Sequence, residues 1–374
     1  MMSKDERNDV YKLDSPNKEP RILYRKCLML ETVTNGKENM MKQNYKIFTA
    51  ALLASMSLVA VAQADSADAQ LVNTSQAIQA QRSTAMQRYA GGRLQAIWNP
   101  QINHNDVDWW LRSFSEWGSY DHGDDGSASS KSRSVALGMD RNTGKETRTG
   151  FYAMYNHTDL YGGGAKALQQ DWRIGAYMGK QHGAVQKYMY VNYGKLGNHY
   201  NYDDMDVKYH GQIVELGGEY KYDLHHNDGK IYHVSPYVNV QASRYLQKGY
   251  RKVLSPDLDW IAASVNNNYL AGEIGVELRR ELPASNYAVR LGYKRVLAGE
   301  GPELAYAMKY SFPDGSTGVS EMSYSNDMDK DYLHLTLNGT LKLSKSLSAT
   351  AEGGWLEGKH DRELMADVKL NWAF

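Results

Sequence analysis

Three groupings in this sequence have residue types suited to acid–base or metal chemistry: His210 with Glu215, His225-His226 with Asp228, and His360-Asp361-Arg362. A histidine beside a carboxylate can hold one tautomer and pass a proton, and imidazoles with carboxylates can ligate a divalent ion. The spacing works against each of them. On an extended strand His210 and Glu215 differ by an odd number of residues and so project to opposite faces. The other two groupings fall where the chain turns, and read as solvated polar residues. No Gly-x-Ser-x-Gly, His-Glu-x-x-His or phosphate-loop pattern occurs. The single cysteine, Cys27, can form neither a disulfide within the chain nor a thiolate metal cluster. The expectation is therefore no enzyme, no metal and no cofactor. A barrel protease or lipase, the enzymatic rival, would need carboxylate, His or Ser groups converging at a loop rim.

Charge and composition narrow the remaining classes. There are 43 basic and 43 acidic residues among 374, so no net field draws the chain to nucleic acid. No apolar run is long enough for a polytopic helical membrane protein, a test that membrane barrels escape because their strands are only half apolar. The aromatic set is skewed, with 28 Tyr and 8 Trp against 5 Phe. Tyr and Trp join an apolar ring to a polar tip, which suits the two water–lipid boundaries of a membrane protein. A Tyr-rich soluble sandwich would share this composition.

The elements come in blocks. Residues 1–40 are polar, mixed in charge and without periodicity, and read as disordered or as an untranslated extension, with translation starting at Met40 or Met41. Residues 41–64 read as a secretory signal: Lys42 and Lys46, then the apolar stretch Ile47 to Ala62, then the small-x-small site Ala62-Gln63-Ala64. Cleavage there would place the mature start at Asp65. Residues 65–106 form a short linker, within which Leu71, Ile78 and Ala85 recur at sevens and Arg82, Arg88 and Arg93 are unopposed by any acid from Ala69 through Asn105. This stretch reads either as a polar helix wanting an acidic or watery surrounding, or as a linker.

From residue 107 the period is two. In the last strand Leu364, Ala366, Val368, Leu370, Trp372 and Phe374 alternate with a mostly polar set. Leu333 to Leu343, Leu270 to Leu278 and Tyr287 to Tyr293 alternate in the same way, so each strand has one apolar face. Strands are expected near 107–119, 130–141, 145–158, 168–180, 184–197, 207–223, 229–247, 268–281, 285–297, 330–342, 345–357 and 362–374. Tight links alternate with longer ones, notably 248–267 and 298–329, where a hairpin above the membrane is possible. Short turns on one rim and long loops on the other are the pattern of an outer-membrane barrel. Backbone groups in lipid find no water, so strands can span only as a closed sheet. The fold class is thus all-β, a closed antiparallel transmembrane barrel of about twelve strands. The polar set then faces the lumen, including Arg112, Glu116, Asp140, Arg148, Arg173, Glu215, Glu219, Lys221, Glu273, Glu277, Arg279, Arg290, Lys294 and Glu352. Both signs are present, so a salt-bridged interior is expected.

On these residues the sequence resembles the translocator domain of autotransporters, the type V secretion barrel. The resemblance covers about 107–374 and the segment before it. It rests on Trp110-Leu111-Arg112, Leu137-Gly138-Met139-Asp140, Arg148-Thr149-Gly150, Gly175-Ala176-Tyr177, Pro236 and the terminal Phe374, in that order. It implies an α-helix inside the pore over residues 70–90, with Arg82 and Arg88 among the lumen acids Glu215, Glu219, Glu273 and Glu277. It also implies a terminal strand read by the outer-membrane barrel assembly machinery through Leu370, Trp372 and Phe374. The chain is expected in the bacterial outer membrane as a monomer, with lipid and lipopolysaccharide around it and no nucleic acid partner. One departure stands out: only Asp65 to about Gln70 precedes the helix, where members of the family carry a long passenger. The implied function is therefore passage of an N-terminal segment to the cell surface by a translocator with a missing or vestigial passenger. The alternative is a standalone adhesin or porin-like barrel acting through loops 248–267 and 298–329.

Overall fold

The structure, a computed structural model, describes residues 107–373 except 122–126, 145, 163–164, 203–204, 227–230, 256–257, 300–302, 312–316 and 326–328. The signal segment with Ala62, Ala64 and Asp65, the pore-helix segment with Arg82 and Arg88, and Phe374 all lie outside the described residues.

Twelve strands form a closed barrel. They are β1 (Val107–Asp121), β2 (Ser127–Gly144), β3 (Thr147–Gly162), β4 (Ala165–His182), β5 (Val185–Tyr202), β6 (Met205–Tyr222), β7 (Tyr232–Gln247), β10 (Val265–Leu282), β11 (Ser285–Ala298), β14 (Asp331–Lys342), β15 (Leu347–Glu357) and β16 (Asp361–Ala373). Chain neighbours pair antiparallel, and β1 pairs with β16 from Asp108↔Ala373 to Tyr120↔Asp361, which closes the sheet. Closure leaves no strand edge in the wall, the condition for β-structure in lipid. The remaining four, β8 (Tyr250–Ser255), β9 (Leu258–Ala262), β12 (Glu303–Ser311) and β13 (Thr317–Ser325), form a separate sheet in the order β13-β12-β9-β8. It is built by two excursions of the chain, β7 to β10 and β11 to β14, both on the rim where β1 ends and β16 begins.

The opposite rim carries tight turns whose chemistry is local. Between β4 and β5, His182 pairs with Val185 across a two-residue turn with Gly183 at φ +55°. Such turns need positive φ, which glycine adopts without a Cβ clash. Between β2 and β3 a bulge at Asn142/Gly144 and Glu146 at φ +65° make the reversal.

Two expectations are refined. The links near 163–164 and 203–204 are short, because β3 to β6 run on past the lipid-facing part. At 16 to 18 residues these strands exceed the roughly 9–11 that a tilted crossing needs. Pairing simply continues into water, with polar residues on the outer face. The tyrosines are also not confined to the membrane boundaries. Tyr120, Tyr152, Tyr177, Tyr188, Tyr190, Tyr200, Tyr209, Tyr237, Tyr245, Tyr269 and Tyr332 are buried on the inner face. One cluster joins Trp110, Phe114, Tyr152, Met154, Tyr177, Tyr188 and Tyr190. Several of these rings fill the space above an inward glycine on the next strand: a Cβ at Gly175 would lie 2.4 Å from Tyr152, and one at Gly150 would lie 2.3 Å from Tyr177. Glycine in a strand interior here marks close approach of an aromatic ring.

Candidate functional site: the barrel wall and its lumen

The alternation of each strand produces two surfaces of opposite character. On β4 the outward residues Trp172, Ile174, Ala176 and Met178 form an apolar run, with Trp172 and Ile174 each 65% exposed. Gln170 and Lys180 bound it above and below. Leu137, Phe151, Met189, Leu216, Val238, Ile274, Leu291 and Leu337 continue the exposed apolar belt around the barrel. In water such a belt would be a continuous apolar patch far larger than soluble monomers carry. Surrounded by acyl chains it costs nothing. Among the described residues no helix is long and apolar enough to cross a membrane, and the crossing is made by strands.

The inner surface is charged and paired. Arg173, at most 1% exposed, binds Asp171 through both Nε and Nη2 and reaches Glu215 at 3.1 Å. Tyr190 donates its hydroxyl to the same Glu215 at 2.7 Å. Arg290 pairs with Glu219 and lies 3.8 Å from Glu277, which also accepts from Lys221 at 2.9 Å. Glu273 accepts from the Tyr237 hydroxyl at 2.6 Å and pairs with His334 at 2.9 Å. The four lumen glutamates thus fall into two neighbourhoods: Glu215 with Arg173, and Glu219, Glu273 and Glu277 around Arg290. Arg148 joins Asp108 and Asp140, and Arg112 crosses the β1–β16 seam to Asp367. Burying single charges would be prohibitive, and pairing with added hydrogen bonds is what makes this interior tenable. Glu352 is less enclosed than the rest, half-buried on β15.

The sequence marked the inward positions by parity, but not who binds whom. Asp171, Tyr237 and His334 complete these pairs: each sits on the buried parity of its strand, and a buried polar group on that face must find a partner.

Among the described residues the acid–base groupings do not assemble into a site, and Asp228 lies outside them. His210 faces outward and is exposed, while Glu215 is fully buried on the inner face. His225 and His226 lie in the connection after β6. The His360-Asp361 pair is more than a solvated loop tip. Asp329 accepts from the backbone N–H of Asp361 at 2.9 Å and from His360 Nδ1 at 3.0 Å, and Asp361 is buried, accepting from the Tyr332 hydroxyl at 3.0 Å. These contacts tie the return of the β11–β14 excursion to the β15–β16 turn, a structural role. Among the described residues no group of three or more His, Cys, Asp or Glu side chains is arranged to hold a metal ion. On β16, Leu370 and Trp372 are half-buried and alternate with the buried Lys369 and Asn371, placing both on the outer face.

Comparison with known proteins agrees with this geometry. A family model described as the autotransporter beta-domain matches residues 109–354. Among solved structures, the translocator domain of the autotransporter NalP from Neisseria meningitidis is similar at TM-score 0.66 and 14% identity, covering 82% of this chain and all of that one. The beta domain of the Bordetella autotransporter BrkA is similar at TM-score 0.54 and 14% identity, covering 72% of this chain and all of that one. The transport unit of AIDA-I from Escherichia coli is similar at TM-score 0.51 and 11% identity, covering 74% and 92%. Curated protein sequences give no match. With a closed twelve-stranded wall, an apolar belt outside and paired charges within, the chain belongs to the autotransporter beta-domain family and is a translocator barrel of the bacterial outer membrane.

Proposed function

We propose that this barrel carries its own N-terminal segment to the cell surface and keeps part of it, residues 70–90, as a helix in the lumen. The passenger is missing or vestigial, since residues 65–106 are all that stand between the expected cleavage site and β1. The observation that supports a cationic occupant is Glu116. It is 1% exposed, and among the described residues neither carboxylate oxygen has a hydrogen-bond partner. A buried, unpaired carboxylate is costly and calls for a positive neighbour. Arg82 and Arg88 would supply such charge to a lumen that also holds Glu215, Glu219, Glu273 and Glu277. No catalytic step is assigned, and the barrel acts as a passive conduit working as a monomer. Leu370, Trp372 and Phe374 would present the terminal strand to the barrel assembly machinery.

Two measurements test this. Deleting residues 66–96 should raise single-channel conductance in planar bilayers, and an unchanged conductance would remove the helix from the lumen. A protease tag at residue 66, assayed on intact cells, should be cleaved if the segment reaches the surface.

The sheet β13-β12-β9-β8 supports a second reading, a surface adhesin. Two separate excursions pair through β9 and β12 to build it on the loop rim, which is more order than loose connections need. Loss of cell adhesion on deleting this sheet, with the residue 66 tag still protected, would favour that reading.

A further inference from the structure

On the outer wall just above the apolar belt, one position has no side chain. A Cβ at Gly197 of β5 would meet nothing closer than His210 Nδ1 at 3.9 Å and the Gln170 carbonyl oxygen at 4.0 Å. The register sets Gln170 of β4 on one side of this gap and His210 of β6 on the other. Along β5, Lys195 stands below the gap and His199 above it, the latter opposite Lys208. All share the outward parity, because the intervening Leu196, Asn198 and Tyr209 are buried. Lys195 and Lys208 are exposed, and neither has a salt-bridge partner among the described residues. Among the described residues beside them the acid is Asp206, which is engaged by His199 Nε2 at 2.8 Å.

The height of this cleft decides what it meets. Met189, Val191 and Tyr193 lie below it on β5, so Lys195 is the first charge above the acyl region. The cleft is on the rim of the large excursions, which in such barrels is the extracellular one. Its cations therefore stand at the depth of the outer-leaflet headgroups. Anionic headgroups attract such cations, and a phosphate offers several acceptor oxygens to lysine donors. The amides of Gln170 and of Gln212, which is opposite Lys195, suit sugar hydroxyls.

We propose that the Gly197 cleft binds the phosphate of a phosphorylated glycolipid in the outer leaflet. The proposal rests on the membrane placement of the barrel and is independent of what the lumen carries.

The test is native mass spectrometry of the full-length protein released from detergent, titrated with bisphosphorylated lipid A and with its dephosphorylated counterpart. Wild-type protein should prefer the phosphorylated lipid. Lys195→Gln with Lys208→Gln should weaken that binding by about 30-fold, taking the usual contribution of a lysine at an anionic surface. Gly197→Val fills the gap without changing charge, in a place with room for it, and should also abolish the preference. Lys187→Gln, at the other rim of the same strand, should change nothing. Each variant is first checked for the heat-sensitive gel migration of a folded barrel. Absence of binding, equal binding of both lipids, or an unaltered preference in the double variant or in Gly197→Val would overturn the proposal. So would displacement of the lipid by inorganic phosphate at matching concentration, which would show a site for free anions.

Discussion

Trp110 occupies the space that a side chain at Gly138 would need. A Cβ built at Gly138 would lie 2.2 Å from the indole, whose Nε1 donates to the Tyr177 hydroxyl at 2.9 Å. The pair sits directly opposite across β1 and β2. Gly138→Val should therefore displace the ring and destabilise the barrel by about 1–3 kcal/mol, the usual cost of overpacking. Reversible urea unfolding in lipid vesicles measures it, and Gly183→Val at the exposed turn is a poor surrogate because its positive φ adds strain of its own.

Arg290 is the hub of the larger charge cluster, holding Glu219 and Glu277 and lying 4.0 Å over the Tyr237 ring. Arg290→Met should cost about 3–5 kcal/mol, because the buried Glu219 loses its counter-charge and Glu277 is left with Lys221. Adding Glu219→Gln should recover part of that loss. A double-mutant cycle in the same unfolding assay checks the coupling, and strict additivity would mean the pair is energetically idle.

The outer belt makes a prediction that distinguishes lipid from water. Leu337 is 54% exposed on β14. Leu337→Arg should cost about 2–4 kcal/mol in a bilayer if the residue lies near the midplane. On a water-facing surface the same change would be close to neutral. Unfolding free energies in vesicles decide between these outcomes.

The excursion β12–β13 pairs within itself and with β9, while β11 and β14 pair directly below it. Replacing residues 303–325 by a short flexible linker should leave the barrel folded, with heat-sensitive gel migration retained. Loss of the folded band would show that the upper sheet is needed for closure.

Much of this architecture was readable from side-chain parity. The run Leu364 to Trp372 announces an outward face, and the matching inward set Glu363, Asp367, Lys369 and Asn371 is buried as that parity requires. Strand ends were less legible, since β3 to β6 continue past the lipid with polar outer residues, and polarity alone resembles a loop. Tyrosine serves on both faces of the wall, with Tyr193, Tyr220 and Tyr293 exposed outside. Its ring-plus-hydroxyl chemistry suits a membrane boundary, but it suits equally a lumen where Tyr190 and Tyr237 cover glycines and donate to Glu215 and Glu273. Partners distant in sequence were invisible: nothing near His360 and Asp361 announces Asp329. The β9–β12 pairing likewise joins two excursions that have no shared local signal.

Finally, the seam between β1 and β16 has a temporal meaning. The first strand of the domain cannot complete its hydrogen bonds until the last has been delivered, because Trp110 pairs with Asn371 and Tyr120 with Asp361. Until then β1 offers a naked edge, and an unpaired edge invites the wrong partner. Contacts this remote in sequence also form slowly. Completion of the sheet thus waits on its last strand, and the order in which the chain is delivered decides how long that edge stays open.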